Sequence, residues 1–292
     1  MKTYCLNLDK TFDPCIDCGY YYNIEYEMIQ FSGGELHIKL KNEFFNLANN
    51  FSDIETVTIT QRIRNSDDLM KILIAKDALE RKGIKHFNLV IPYIPYARQD
   101  RQCNEGESFT LKVFTNIINS ANFEEVIVLD AHSDVAPALL NNCTNILNTR
   151  YVEEAITDIN STAGLLLISP DSGANKKINK LFDNLKCFDR IINCDKKRDL
   201  TTGKLSGFKV FATDLSKRDC IIVDDICDEG RTFIGIAEEL KKLNTGNIYL
   251  FVTHGIFSNG FDELSKYFTK IYCTNSFKDI DDPIVTQFKI QL

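Results

Sequence analysis

Short apolar runs alternate with amphipathic stretches along the first half of the chain. Runs at 57–60, 87–91 and 126–129 are rich in β-branched and apolar residues, a composition and length typical of buried strands. Between them, a helical pattern begins at the N-cap Ser66 and closes at Gly83, and a second runs from Ser108 or Thr110 to about Ala121. Strands separated by helices predict parallel pairing and a doubly wound α/β sheet with mostly parallel strands.

The same alternation restarts after about residue 150. Predicted strands lie at 165–168, 188–192, near 210, and at 221–223, 248–252 and 271–273, and predicted helices at 175–185, 232–243 and near 261–268. A polar stretch, 194–206, separates two of the strands. Ahead of the first sheet, strands at 28–31 and 35–40 flank a Gly33-Gly34 turn, whereas the first thirty residues show no clear period. We therefore predict two similar α/β domains, 1–150 and 151–283.

Composition excludes several classes of protein. The chain has 292 residues and is 44% apolar, enough for large cores, and its net charge of −7 argues against a general nucleic-acid-binding protein. No run approaches the roughly 20 apolar residues of a membrane span, and the first residues lack the apolar region of a secretory signal. These features predict a soluble, cytoplasmic protein.

Ten cysteines are scattered along the chain, a pattern typical of reduced thiols in an intracellular enzyme. Cys15 and Cys18 form a C-x-x-C pair, but no second pair stands at the spacing of a zinc site. One pair supplies two of the four ligands that zinc usually takes. The sequence therefore favours free thiols over a structural metal at this pair.

Residues 220–232, CIIVDDICDEGRT, combine a buried strand, two carboxylates and a glycine-containing turn before a helical pattern. The N–H groups and dipole of a helix N-terminus favour anions, and open α/β sheets bind ligands at the carboxyl ends of strands. Asp224 and Asp225 can accept from sugar hydroxyls, which predicts a phosphorylated, hydroxyl-bearing ligand. The alternative is an ordinary strand–helix turn with capping aspartates.

Two further polar segments follow predicted strands. Because Pro92 and Pro95 exclude a regular helix or central strand, the segment YARQDR at 96–101 is predicted to be a loop. Its two arginines can hold a triphosphate through bidentate hydrogen bonds, although a solvated charged loop is the simpler alternative. His132 follows the strand at 126–129, where a histidine is more usually a capping or packing residue.

Seven segments, in order along the chain, carry a resemblance to one family. VDDICDEGRT resembles the ribose-phosphate loop of phosphoribosyltransferases, and IPYIPYARQDRQ at 91–102 resembles the ATP-binding segment of ribose-phosphate pyrophosphokinases. FSGGE (31–35), DAHS (130–133), SPDSG (169–173), DKKR (195–198) and THGIFS (253–258) resemble further segments of the same family. Together they span most of the chain.

The resemblance implies transfer of the pyrophosphoryl group of Mg-ATP to the anomeric hydroxyl of ribose 5-phosphate, giving 5-phosphoribosyl 1-pyrophosphate and AMP. It implies a homo-oligomer, dimer or hexamer, with Phe31 and Glu35 reaching a neighbour's adenine, and a tail, 284–292, that returns to the first domain. Lys196 and Arg198 match catalytic cations on a mobile loop. The implied ATP contacts are Phe31, Glu35, Arg98, Gln99, Asp100, Arg101 and His132; the Mg²⁺ ligands are His132 and Asp171; the ribose-phosphate contacts are Asp224, Asp225, Asp228, Glu229, Gly230, Arg231 and Thr232.

The ribose-phosphate loop departs from the family pattern. D-E-G-R-T replaces the usual D-T-G-G-T, so Glu229 brings an anion and Arg231 replaces a glycine. The two side chains either point away or pair with each other. A larger acceptor that contains ribose 5-phosphate, such as ADP-ribose, is one alternative reading, and a non-catalytic regulatory relative is another. A plain phosphoribosyltransferase would not need the YARQDR segment. No residue of these motifs is an obvious general base.

Overall fold

Alternating strands and helices build both halves of the chain in the computed structural model, which describes residues 3–15, 21–41, 56–161, 164–198 and 205–292. Two compact units result. The first comprises Met1–Ile146 with Lys289–Leu292, and the second Leu147–Phe288. Each unit has its own sheet. In the part of the chain that is described, no helix is both long and apolar enough to cross a membrane.

The first unit holds a six-stranded parallel sheet in the order β2-β1-β5-β6-β7-β8 and a separate antiparallel hairpin, β3-β4. Its strands are β1 (Thr3–Asn7), β2 (Tyr21–Asn23), β3 (Tyr26–Gln30), β4 (Leu36–Leu40), β5 (Val57–Thr60), β6 (Phe87–Val90), β7 (Glu125–Leu129) and β8 (Cys143–Ile146). Its helices are α1 (Ser66–Glu80), α2 (Thr110–Ser120) and α3 (Val135–Leu139).

The second unit holds a seven-stranded sheet in the order β11-β10-β9-β12-β13-β14-β15, in which only β10 and β11 pair antiparallel. Its strands are β9 (Leu165–Ser169), β10 (Phe188–Arg198), β11 (Leu205–Val210), β12 (Asp219–Cys227), β13 (Ile248–Gly255), β14 (Lys270–Thr274) and β15 (Val285–Phe288). Its helices are α4 (Thr149–Ile159), α5 (Asn175–Leu185) and α6 (Arg231–Lys242).

Three inner strands of the two sheets are buried along their whole length. Every residue of β5, β9 and β13 is buried, as expected for parallel strands that helices cover on both faces. Helices α2, α5 and α6 bury one apolar face and leave the other in water. The α/β class with mostly parallel sheets, predicted from the alternation of strand and helix, is confirmed.

Several boundaries differ from the sequence prediction. Asn65, not Ser66, caps α1, and its side chain accepts from the Asp68 N–H at 3.0 Å. The polar residues 194–198 continue β10 because they pair with β11, and the helix predicted near 261–268 is only a 3₁₀ turn at Leu264–Lys266. Strands β1, β2, β8 and β15 and helices α3 and α4 were not predicted.

The C-terminal residues divide between the two units. Val285–Phe288 forms β15 of the second sheet and pairs with β14. Lys289–Leu292 groups with the first unit, where the Leu292 N–H donates to the carbonyl of Pro14 at 2.9 Å. Of the tail 284–292, only these last four residues belong to the first unit.

Candidate active site

Two adjacent carboxylates lie near the carboxyl end of β12. Asp224 and Asp225 are within the strand, which continues to Cys227, four residues beyond the end predicted from sequence at Val223. Asp225 is 6% exposed, and its N–H donates to Asp224 Oδ1 at 2.9 Å. Burial, followed by the negative charge of Asp225, raises the pKa of Asp224 well above its ordinary value, and Asp171 contributes in the same direction. The strand end therefore concentrates negative charge.

Asp171 lies at the same edge of the sheet, two residues past β9, which is the neighbour of β12. Its Oδ1 accepts the N–H groups of Gly173 at 3.0 Å and Ala174 at 3.1 Å, and its Oδ2 accepts Lys196 Nζ at 2.8 Å. Burial alone would raise the pKa of Asp171, but the hydrogen bond and charge of Lys196, with the two backbone N–H groups, lower it. Asp171 is therefore an ionised carboxylate held in one orientation.

Lys196 reaches Asp171 from a strand rather than from a loop. It lies in β10, where it pairs with Phe208 of β11, and Arg198 ends the strand opposite Leu205. The sequence interpretation of 194–206 as a polar stretch between strands was wrong for 194–198. These residues lie past the last pair with β9, at Asn193, and form a ladder with β11 through backbone groups, which does not require apolar side chains. Residues 199–204 and the side chain of Arg198 lie outside the described part of the chain.

The turn after β12 has a left-handed backbone at one position, which a glycine occupies. Gly230 adopts φ +80° as the N-cap of α6, and its carbonyl accepts the Ile234 N–H at 3.0 Å. Only glycine adopts this left-handed geometry without a steric cost. The carbonyl of Asp228 accepts the Ser258 N–H at 3.2 Å, so β13 and the segment after it support the turn. Thr232 is half-buried in the first turn of α6.

Glu229 and Arg231, the two residues that depart from the family pattern, pair with each other. Arg231 Nε lies 2.7 Å from Glu229 Oε2, and the two side chains are 79% and 46% exposed. Of the two arrangements left open by the sequence, the structure therefore has the ion pair. The pair lies on the solvent side of the turn and leaves Gly230 buried beneath it.

In the first unit, the segment predicted to bind ATP follows β6. Residues 91–101 contain no helix or strand, as Pro92 and Pro95 predict. Tyr96 adopts φ +62°, and the Gln99 N–H donates to its carbonyl at 2.8 Å. Arg98, Gln99 and Arg101 are exposed and Asp100 is half-buried. The turn thus directs a cluster of polar side chains into water at the carboxyl edge of the first sheet.

His132 follows β7, the strand next to β6 in that sheet. Asp130 is buried with φ +42°, and its N–H donates to the carbonyl of Ile146 at 2.7 Å. The Ala131 N–H donates to Asn145 Oδ1 at 3.0 Å. These bonds fix the chain reversal that exposes His132, at the same sheet edge as the arginine segment.

Phe31 and Glu35 lie at the tip of the β3-β4 hairpin. The Phe31 N–H donates to the carbonyl of Glu35 at 2.9 Å, and the Gly34 N–H donates to the carbonyl of Phe31 at 2.8 Å. The Phe31 ring is 54% exposed and lies 6.2 Å from the ring of His37. The Phe31 ring therefore faces water and is not part of the core of the unit.

The predicted site residues thus fall into three groups. Asp171, Lys196, Asp224 and Asp225 share the carboxyl edge of the second sheet; the arginine segment and His132 share that of the first; and Phe31 with Glu35 belong to a separate two-stranded sheet. Sequence reasoning missed Lys177 of α5, whose Nζ lies 3.9 Å from Asp225 Oδ2. The one sequence signal for Lys177 as a site residue was its position in the predicted helix at 175–185, six residues past Asp171.

The group at the carboxyl edge of the second sheet suits a hard cation. Mg²⁺ prefers oxygen ligands and is usually held by one or two carboxylates together with substrate phosphates. The ionised carboxylate of Asp171 fits that preference, whereas the imidazole of His132 offers a less suitable nitrogen. Because Lys196 already neutralises Asp171, a cation at this carboxylate would compete with the ammonium group.

Comparisons with known proteins identify the family. The sequence model of the N-terminal domain of ribose phosphate pyrophosphokinase matches residues 21–121, and that of the phosphoribosyl synthetase-associated domain matches residues 202–278. The ribose-phosphate pyrophosphokinase of Agrobacterium fabrum is 33% identical over 196 residues, which are 67% of this chain and 62% of the relative. That of Maricaulis maris is 30% identical over 230 residues, 78% of this chain and 71% of the relative.

A solved structure has the same fold. The crystal structure of phosphoribosylpyrophosphate synthetase from Mycobacterium smegmatis superposes with a TM-score of 0.78 and 19% sequence identity, covering 99% of this chain and 94% of that chain. The matched domains lie in both units, and the sequence relatives match over most of the chain. The chain belongs to the ribose-phosphate pyrophosphokinase family of enzymes.

Proposed function

We propose that the protein transfers the pyrophosphoryl group of Mg-ATP to ribose 5-phosphate, releasing AMP and forming 5-phosphoribosyl 1-pyrophosphate. The observation that carries the proposal is the group Asp171, Lys196, Asp224 and Asp225 at one edge of the second sheet. It combines carboxylates for sugar hydroxyls and a metal with an ammonium group for phosphate oxygens. Family membership supports the same reaction.

Ribose 5-phosphate is assigned to the turn after β12. Its hydroxyls would donate to Asp224 and Asp225, and its phosphate would accept the N–H groups of 228–232 at the N-terminus of α6. Gly230 allows close approach, since its backbone carries no side chain. The anomeric oxygen attacks the β-phosphorus of ATP, the bond from the β-phosphorus to the α,β-bridging oxygen breaks, and AMP leaves.

ATP is assigned to the first unit. Arg98 and Arg101 would hold the triphosphate, with Gln99, Asp100 and His132 beside it, because guanidinium groups bind phosphate oxygens in a bidentate manner. Phe31 would stack on adenine and Glu35 would accept from its exocyclic amine. We assign these two residues to the adenine of a neighbouring subunit, so the active protein would be a homo-oligomer.

Mg²⁺ would be held by Asp171 and would neutralise charge on the ATP phosphates. Lys196, together with Arg198, would stabilise the negative charge that develops on the transferring group and on AMP. Phosphoryl-type transfer needs mainly positioning and charge neutralisation, so these cations supply the chief catalytic contribution. The proton of the anomeric hydroxyl is not assigned to a side chain.

The Glu229–Arg231 pair favours one alternative acceptor. Because both side chains are exposed on the turn, Arg231 could contact a second phosphate of a larger acceptor such as ADP-ribose. That acceptor retains the same reacting hydroxyl. The two acceptors are distinguished by their kcat/KM values.

The deciding experiment incubates the full chain with ATP and Mg²⁺, and with either ribose 5-phosphate or ADP-ribose, and identifies the products by mass spectrometry. We expect AMP and 5-phosphoribosyl 1-pyrophosphate, with the higher kcat/KM for ribose 5-phosphate. Lys196→Met, purified in the same way, is the control for contaminating kinases. If this chain forms the products, the variant should form less AMP and less 5-phosphoribosyl 1-pyrophosphate than the parent. A higher kcat/KM with ADP-ribose would favour the larger acceptor, and AMP with neither acceptor would favour a regulatory relative.

A further inference from the structure

A second group of potential ligands lies in the first unit. Cys5 is in the middle of β1, and Asp13 and Cys15 lie in the segment that follows that strand. The two Sγ atoms and a carboxylate oxygen all lie within 4.8 Å of one another. Cys5 is 0% and Cys15 1% exposed. The chain reversal after β1 brings Cys15 back to that strand, beside Cys5.

Hydrogen bonds hold the carboxylate in place. Asp13 Oδ1 accepts the Cys15 N–H at 3.1 Å, and Asp13 Oδ2 accepts Asn23 Nδ2 at 3.4 Å. Asn23 Oδ1 in turn accepts Asn7 Nδ2 at 3.3 Å, and Asn7 Oδ1 accepts the Cys5 thiol at 2.9 Å. A chain of hydrogen bonds therefore links the carboxylate of Asp13 to the thiol of Cys5 through the side-chain amides of Asn23 and Asn7. Such supporting contacts orient metal ligands and contribute to affinity.

The donor set selects a class of metal. Thiolates favour soft or borderline cations such as Zn²⁺, whereas Mg²⁺ takes oxygen ligands alone. Zinc–sulfur bonds of about 2.3 Å and zinc–oxygen bonds of about 2.0–2.2 Å place tetrahedral ligands about 3.3–3.8 Å apart. The ligand atoms of these three residues all lie within 4.8 Å of one another, so small side-chain adjustments would bring them to that spacing. Zinc usually takes four ligands, and the described residues supply three of them. Cys18 lies outside the described residues and is not included.

We propose that Cys5, Asp13 and Cys15 form a binding site for a thiophilic divalent cation of the zinc class, with a structural role. The metal would join the segment at 8–15 to β1, next to the sheet edge where β1 pairs with β2. The Leu292 N–H donates to Pro14, between two of the ligands, so the cation would also steady the attachment point of the C-terminal residues. On binding, both thiols release their protons to solvent and both sulfurs bond to the metal.

The test uses the full chain without a histidine tag, purified with reductant and chelator and then titrated with Co²⁺ and Zn²⁺. We expect about one cobalt per chain, with the absorption of thiolate-to-cobalt charge transfer, and displacement of the cobalt by zinc. Cys5→Ser and Cys15→Ser should each weaken binding at least tenfold. Asp13→Asn, which preserves size and leaves the buried thiols intact, should weaken it about 10-fold or more. Cys103→Ser, an exposed cysteine elsewhere in the unit, should bind as the parent does.

Three results would overturn the proposal. The first is that the parent chain shows no thiolate-to-cobalt charge-transfer absorption on titration with Co²⁺. The second is that Cys5→Ser and Asp13→Asn bind cobalt with the affinity of the parent. Alternatively, protein isolated without reductant could lack the mass of two hydrogens and show a peptide that links Cys5 to Cys15, with no metal bound after reduction, which would mean a disulfide. If the serine variants fail to fold, the Tm of the parent and of Asp13→Asn is compared with and without zinc. A zinc-induced rise in the Tm of the parent but not of Asp13→Asn would support the site.

Discussion

Lys196 Nζ lies 2.8 Å from Asp171 Oδ2, joining the end of β10 to the turn after β9. The proposed catalytic cation and the proposed metal ligand therefore neutralise each other. Since the carboxylate also accepts two backbone N–H groups, its orientation does not depend on the lysine alone. A cation that binds Asp171 would release the ammonium group toward substrate phosphates.

Lys196→Met should separate these two roles. We expect kcat to fall by about 10²–10³, the usual cost of removing one donor that stabilises transition-state charge. The Mg²⁺ concentration for half-maximal activity should fall as well, because Asp171 no longer has a competing cation. AMP formation measured against Mg²⁺ concentration tests both effects. Lys180→Met, an exposed lysine of α5, is the matched control, and an unchanged kcat in Lys196→Met would contradict the proposed role.

Gly230→Ala should destabilise the second unit and weaken ribose-phosphate binding. A Cβ at this position would meet Leu264 Cδ2 at 2.9 Å in a backbone with φ +80°. Left-handed geometry alone costs an L-residue about 1–2 kcal/mol. Gly83→Ala is the control, since Gly83 has φ +92° and open space around it, and it should lose less stability. Equal losses in urea unfolding would mean that the Leu264 contact contributes nothing.

Phe31→Ala should leave stability nearly unchanged and weaken nucleotide binding. The ring is 54% exposed, and exposed substitutions usually change stability by less than about 0.5 kcal/mol. Stacking on a base contributes about 1–3 kcal/mol, so the dissociation constant for ATP should rise about 5- to 150-fold. Phe211→Ala removes an equally exposed ring from the second unit and should bind ATP normally. Equal ATP affinity in both variants would exclude the stacking role of Phe31.

Asp9 should contribute to acid sensitivity. Its Oδ2 lies 2.8 Å from Nε of the buried Arg62. Burial raises the pKa of Asp9, but the hydrogen bond and charge of Arg62 outweigh it and lower the pKa. A lowered pKa stabilises the fold above the unfolded-state value of about 3.9, and this stabilisation disappears as the pH falls through the folded-state pKa.

Asp9→Asn should therefore lose about 3 kcal/mol at pH 7, because it removes the carboxylate charge that faces the buried guanidinium of Arg62. The loss should shrink toward low pH, where the parent has lost the same interaction. Urea unfolding of the parent and of Asp9→Asn across pH 2–7 measures this difference in the free energy of unfolding. Asp77→Asn removes a carboxylate from an exposed pair with Arg81 and should change little. A loss independent of pH would show that charge is not responsible.

Strands with strong local signals were predicted well. The β-branched run Val57–Thr60 and the helix Asn175–Leu185 have the predicted bounds, because burial and helical spacing are both readable from neighbouring residues. Helix α4 was missed although Tyr151, Val152 and Ala155 supply its buried face, since it begins where a connection between domains was expected. The polar residues of β10 were missed because their strand depends on pairing with β11, which no local pattern encodes.

By itself, the sequence determined the α/β class with mostly parallel sheets and the chemistry available in its motifs, since periodicity and motif composition are local properties. Tertiary structure decided which of those groups meet. Only folding sets Lys196 against Asp171, Lys177 near Asp225, and Cys5 beside Asp13 and Cys15. Each pairing joins residues from different elements, and its distance follows from strand order and register in the sheet, not from spacing along the chain.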